Sequence, residues 1–292
     1  MEQTGSSGMG QGESNASSPS SSVADVLALL HGEANAHPAA AYAVELAKML
    51  GAHLTVTGVT RDPARQFYLA QAQAQVLAAA VDAARTSAHA FAGKVSADAA
   101  ERGVAATALV REVLIGQGWG EVAQFARLFD IAVLAQPNGE EAARDEAMLE
   151  AVLLQAGRAV IVVPPSYARP VSFERPILAW DGSRGAVRAL AEAMPILRQA
   201  GQVQIVSVAR HGATPEIPDI TPHLERHGVA CTSYEDSLSY SVAQTLLDHA
   251  HKAASNLLVM GAFGHLRLRE MMLGGTTRDI LRLADLPVLL AN

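Results

Sequence analysis

Two residues separate Gly261 from Gly264, nine more lead to Gly274, and Gly275, Thr276 and Thr277 follow it directly. The run begins where the apolar stretch NLLVM ends and closes where the helical pattern TTRDILRLAD begins. A glycine at a strand end serves either as a turn device or as backbone cleared for a ligand's approach. The glycine doublet ahead of a helix favours the second use. Unpaired N–H groups and the positive end of the helix dipole attract phosphate there, and Thr276 is placed to cap the helix. Asp181, in AWDGS at the tip of an earlier strand, has two open roles: capping the helix that follows, or accepting from ribose hydroxyls or holding a divalent ion. Val208, after the next strand, can offer its backbone to a ligand. Arg267, Arg269 and Arg278 lie within or just beyond the glycine run, either as phosphate partners or as solvated charges. His265 reads as a polar loop residue.

These residues need strands to carry them. Short runs rich in Val, Ile, Leu and Ala alternate with longer helical patterns, as in βαβ units with a parallel sheet covered on both faces. The pattern is written twice. Strands VADVLALLHG, HLTVTGVT, VAATALV, IAVLAQ and AVIVV alternate with helical stretches in the first half. RPILAWDG, QVQIVSVAR, VACTSYE, NLLVMGA and LPVLLAN repeat the order in the second. FDIAVLA corresponds to SNLLVMGA and GRAVIVVP to DLPVLLAN. The expected fold is two tandem doubly wound, Rossmann-like parallel-sheet domains, residues 22–166 and 173–292, behind a tail at residues 1–21 whose Ser, Gly and Gln content predicts disorder. In such sheets ligands sit beyond the carboxyl ends of the strands at the switch point.

With these residues in view, the sequence resembles the universal stress protein family, whose motif is G-x2-G-x9-G followed by a small hydroxyl residue. Similarity of order covers residues 23–292 as a tandem pair. The resemblance implies an adenine-nucleotide-alpha-hydrolase-like fold and ATP or AMP, with Mg²⁺ as companion, held by Asp181, Val208, Gly261, Gly264, Gly274, Gly275, Thr276 and Thr277. It also implies an unnamed protein partner, and pairing of two domains through their last strands. AVIVV and PVLLA are then the strands of an intramolecular pseudo-dimer, and a homodimer is a further implied assembly. One departure stands out: nucleotide-binding members commonly carry Ser directly after the third glycine, and here Gly275 takes that place.

The first repeat has lost the motif. Ala135 stands at Gly261's place, Asn138 near Gly264's, and Glu146 and Ala147 near the doublet. Glu140, Glu141 and Asp145 add negative charge, and His31 stands where the second repeat has Asp181. No nucleotide is expected there.

Composition narrows the function classes. A net charge of −7 without a basic cluster argues against nucleic acid. A single cysteine, Cys231, rules out an intrachain disulfide. No apolar run reaches the ~18–20 residues of a membrane span, and the missing targeting signals, with the family likeness, lead to a cytoplasmic expectation. His249 and His251 are two apart on a helical stretch, so they do not share a face. No phosphate-binding G-x-x-x-x-G-K-[ST] loop or G-x-S-x-G elbow is present. An adenylyl-transferase-like enzyme lacks its early histidine motif in AWDGS. Binding is therefore expected over catalysis, with slow ATP hydrolysis left open. The alternative is a protein-interaction scaffold that keeps the fold without the ligand.

Overall fold

The computed structural model describes residues 23–31, 33–62, 71–114, 118–209, 219–262 and 275–292, without the side chains of residues 33–36, 61–62, 71–77 and 114. The expectation for residues 1–21 lies outside them. The first half runs β1 (Asp25–Leu30), α1 (Glu33–Leu50), β2 (His53–Asp62), α2 (Gln71–Glu101), β3 (Ala106–Leu114), α3 (Gly120–Ala126), β4 (Ile131–Ala135), α4 (Ala142–Gln155) and β5 (Ala159–Val163). The second runs β6 (Pro176–Ala179), α5 (Arg184–Leu197), β7 (Val203–Ala209), α6 (Thr221–Arg226), β8 (Cys231–Ser237), α7 (Val242–Lys252), β9 (Leu257–Gly261), α8 (Gly275–Leu283) and β10 (Val288–Ala291).

The ten strands among the described residues form one sheet, in the order β3-β2-β1-β4-β5-β10-β9-β6-β7-β8. Each half has its first strand in the middle, and the order of the second half is the mirror of the first. Every pairing within a half is parallel. The single antiparallel seam joins β5 to β10, with Val160, Ile161 and Val162 opposite Leu290, Leu289 and Val288.

Helices cover both faces, which explains strands as continuously apolar as AVIVV, buried at every position. One core layer includes Leu46 of α1, Ile161 of β5, Ile196 of α5 and Leu289 of β10. The opposite layer includes Leu149 of α4, Leu247 of α7, Leu258 of β9 and Ile280 of α8. Both layers cross the seam without a break. Burying each of these side chains stabilises the fold by ~1.5–3 kcal/mol, so the two halves share their cores. β8 lies at one edge of the sheet and exposes most of its polar sequence CTSYEDS, which suits an unpaired edge. α1 begins at Glu33 and carries Pro38 inside it.

Candidate functional site

β6 and β9 are neighbours, and the chain leaves them on opposite faces, α5 with one core layer and α8 with the other. Their carboxyl ends therefore flank the switch point of the second repeat. Beyond β6, the Trp180 N–H donates to the Val206 carbonyl at 2.9 Å and the Ser207 hydroxyl donates to the Trp180 carbonyl at 2.8 Å. This anchors the backbone that carries Asp181. One Asp181 carboxylate oxygen accepts from the Ser183 N–H at 2.9 Å. The cap of α5 is Ser183, whose hydroxyl accepts from the Ala186 N–H at 3.2 Å. Asp181 is exposed and stands two residues before the cap. Its other oxygen has no hydrogen bond among the described residues.

Val208 falls inside β7, opposite Asp236 of β8, and not after the strand as the sequence suggests. Pairing with β8, which continues to Ala209 opposite Ser237, keeps Val208 within the strand. Gly261 ends β9. A Cβ there would lie 2.4 Å from the Gly185 carbonyl carbon and 2.5 Å from the Ala186 nitrogen. The space that glycine leaves is filled by the first turn of α5. Gly185 reciprocates: its Cβ would lie 3.1 Å from the Ala262 carbonyl oxygen.

α8 begins at Gly275, so Thr276 is in the first turn and is not the cap expected from sequence. Thr277 is buried and Thr276 half-buried, which leaves Thr276 the more accessible hydroxyl. Around Gly275 a Cβ would meet no described atom within 4 Å. Gly264 and Gly274, with His265, Arg267 and Arg269, lie outside the described residues. Asp181, Val208, Gly261 and the first turn of α8 all belong to the carboxyl side of the second repeat's strands.

Several contacts have no local sequence signal. Gln136, buried just after β4, donates through Nε2 to the carbonyls of Leu281 and Ala284 at the end of α8. Arg278 lies with Nε 3.8 Å from Oε1 of Glu146 on α4. Glu150, one turn on, has an oxygen shielded from solvent and without a hydrogen-bond partner among the described residues. Burial pushes its carboxyl above the usual range, Glu146 adds to the shift, and Arg278 opposes it. The first repeat thus holds α8 at two points.

At the equivalent place in the first repeat, His31 follows β1. Its Nδ1 is 2.8 Å from an Asp145 carboxylate oxygen, and the Trp119 ring packs edge-on at 6.3 Å. Asp145 is only 6% exposed. Of the three acids singled out there, Asp145 pairs with His31, Glu141 pairs with Arg144, and Glu140 is exposed. His249 and His251 do point apart: His249 bridges Asp236 and Gln204, and His251 meets Asp285.

Comparison with known proteins agrees with this architecture. Residues 226–292 match the sequence model of the Universal stress protein family. A universal stress protein of Synechocystis sp. is 28% identical over 178 residues, 55% of this chain; the match spans 57% of that relative's length. A universal stress protein structure from Archaeoglobus fulgidus superimposes over 91% of this chain and 96% of its own, with a TM-score of 0.67 at 17% identity. A Pseudomonas aeruginosa structure described as a putative universal stress protein covers 93% of this chain and 94% of its own, with a TM-score of 0.56 at 13% identity. No described helix is long and apolar enough to cross a membrane. The second repeat therefore matches the universal stress protein family over residues 226–292, and nearly the whole chain shares the fold of universal stress protein structures.

Proposed function

We propose that the second repeat binds one adenine nucleotide, ATP or AMP, and that the protein acts in the stress response as a nucleotide-responsive binding protein without efficient catalysis. One observation carries this: Asp181, Val208, Gly261 and the N-terminus of α8, far apart in sequence, converge on the carboxyl ends of β6, β7 and β9 around the switch point. The residues fit such a ligand. Asp181 is exposed with an oxygen to spare for a ribose hydroxyl or Mg²⁺, and no described atom crowds Gly275. The N–H groups of Gly274 and Gly275 and the Thr276 hydroxyl serve phosphate. The Val208 backbone serves the adenine edge. Gly261 contributes indirectly, by letting α5 close onto β9.

The first repeat takes no nucleotide in this reading, because His31 stands where the second repeat has Asp181 and pairs with Asp145. It acts as the partner half of an intramolecular pair, in a protein we place in the cytoplasm. A second function, a ligand-free interaction scaffold, is favoured by one observation: Gly275 offers no hydroxyl where nucleotide-binding relatives commonly have Ser.

Mass spectrometry of ligand released from the purified chain, followed by calorimetric titration with Mg²⁺-ATP, separates the two. One adenine nucleotide per chain supports the binding function. No retained nucleotide and no heat up to millimolar ATP favours the scaffold, and two per chain overturns the assignment of the first repeat.

A further inference from the structure

Arg278 stands in the first turn of α8. Helical side chains lean toward the N-terminus of their own helix, so its guanidinium has the reach to serve an anion held there. In the structure it is drawn across the seam. Its Nε is 3.8 Å from Glu146, and both side chains are 40–45% exposed. Such a loose exposed pair is screened by solvent, so it holds Arg278 weakly. Beside it, Glu150 keeps a carboxylate oxygen out of solvent with no hydrogen-bond donor among the described residues.

The two helices are pseudo-equivalent. Leu149, Val152, Leu153 and Ala156 are buried in the first repeat as Thr277, Ile280, Leu281 and Ala284 are in the second. In that register Glu150 takes the place of Arg278, and Glu146 that of Gly274. The acids facing Arg278 therefore exist because the first repeat has diverged. Two copies of the second repeat paired in this way would not supply them.

Resting on the nucleotide site proposed above, we infer that Glu146 and Glu150 compete with the nucleotide's phosphates for Arg278, so the length of the phosphate chain is sensed across the seam between the repeats. A bidentate phosphate is the stronger partner for a guanidinium. When it takes Arg278, the two glutamates are left one helical turn apart without a counter-charge, a spacing at which like charges repel. A longer phosphate chain thus binds against a penalty set by the first repeat, and binding loosens the α4–α8 seam. Adenosine, with no phosphate, is indifferent to the two acids.

Calorimetric titration of the full-length protein with adenosine, AMP and Mg²⁺-ATP tests this. The forms compared are the unsubstituted chain, Glu146→Gln/Glu150→Gln, Arg278→Gln and the triple substitution. The double variant is expected to bind ATP about 5-fold or more tightly than the unsubstituted chain, with a smaller gain for AMP and none for adenosine. Arg278→Gln is expected to weaken ATP and to make the glutamate substitutions silent. Circular dichroism checks that each variant is folded, and Gln preserves the size of Glu. If nucleotides bind but the ATP:AMP:adenosine ratios do not change in the double variant, the competition is overturned while the site stands. If no form binds any of the three, the nucleotide site falls, and the competition with it.

Discussion

A Cβ atom on Gly261 would lie 2.4 Å from the carbonyl carbon of Gly185. Two backbones meet there, the end of β9 and the first turn of α5, and neither can yield as a flexible side chain would. Gly261→Ala is expected to destabilise the protein by ~1–3 kcal/mol, the scale of an overpacked core. Gly185→Ala, with its nearest contact at 3.1 Å, is expected to cost less. Urea unfolding of both variants checks the order, and an unchanged midpoint for Gly261→Ala refutes the close approach. Loss of nucleotide binding in Gly261→Ala would report helix displacement, not a lost ligand contact.

Gly275 lies at the opposite extreme. No described atom lies within 4 Å of the Cβ it lacks, and it is the first residue of α8. Gly275→Ser adds a hydroxyl where nucleotide-binding relatives commonly have one. The variant is expected to keep its melting temperature within a few degrees, since surface changes of this kind stay within about ±0.5 kcal/mol. ATP affinity is expected to rise. An unchanged or weaker affinity with the fold intact shows that this hydroxyl position does not face phosphate.

Gln136 ties the repeats together from a buried position, with its amide donating to two carbonyls at the end of α8. Gln136→Leu leaves those carbonyls without their donor, at an expected cost of ~1–3 kcal/mol. Hydrogen exchange gives the location: amides of α8 are expected to exchange faster in the variant, while those of β1 and β2 keep their protection. Uniform loss across the chain would contradict a local tie.

His31 and Asp145 form a largely buried pair in the first repeat. Asp145→Ala removes a buried partner of His31 and is expected to cost ~1–3 kcal/mol. Asp145→Asn keeps an oxygen to accept from Nδ1 and is expected to cost less. Neither change is expected to let the first repeat bind ATP, because no glycine doublet precedes α4. A second nucleotide per chain in either variant would reverse that view.

Burial and the neighbouring Glu146 raise the carboxyl of Glu150 above its ordinary value. The native state therefore binds this proton more tightly than the unfolded state, and the ionised form is disfavoured in the fold. The penalty is present above the raised native value and disappears as pH falls below the unfolded value near ~4.3. Glu150→Gln is expected to raise stability at pH 7 by less than about 1 kcal/mol, as suits a half-exposed group. The gain is expected to shrink to nothing below about pH 4. Urea midpoints at both pH values test it, and a gain that persists at low pH assigns it to some other cause.

Sequence alone was enough for the alternation of elements, the duplication and the strand that ends in Gly261, because apolar periodicity and glycine punctuation are local signals. It also marked His31 and Asp145 as departures in the first repeat, without joining them. Tertiary structure decided what each such residue touches. His31 meets an acid 114 positions away, Gln136 reaches carbonyls 145 and 148 positions away, and Gly261 opens space for α5. Thr276 and Val208 moved relative to their elements because the start of a helix and the end of a strand depend on hydrogen bonds to neighbours. Contacts of that range are set by where the crossovers bring the chain back and by which helix packs on which strand, and the spacing of residues along the chain does not encode that outcome.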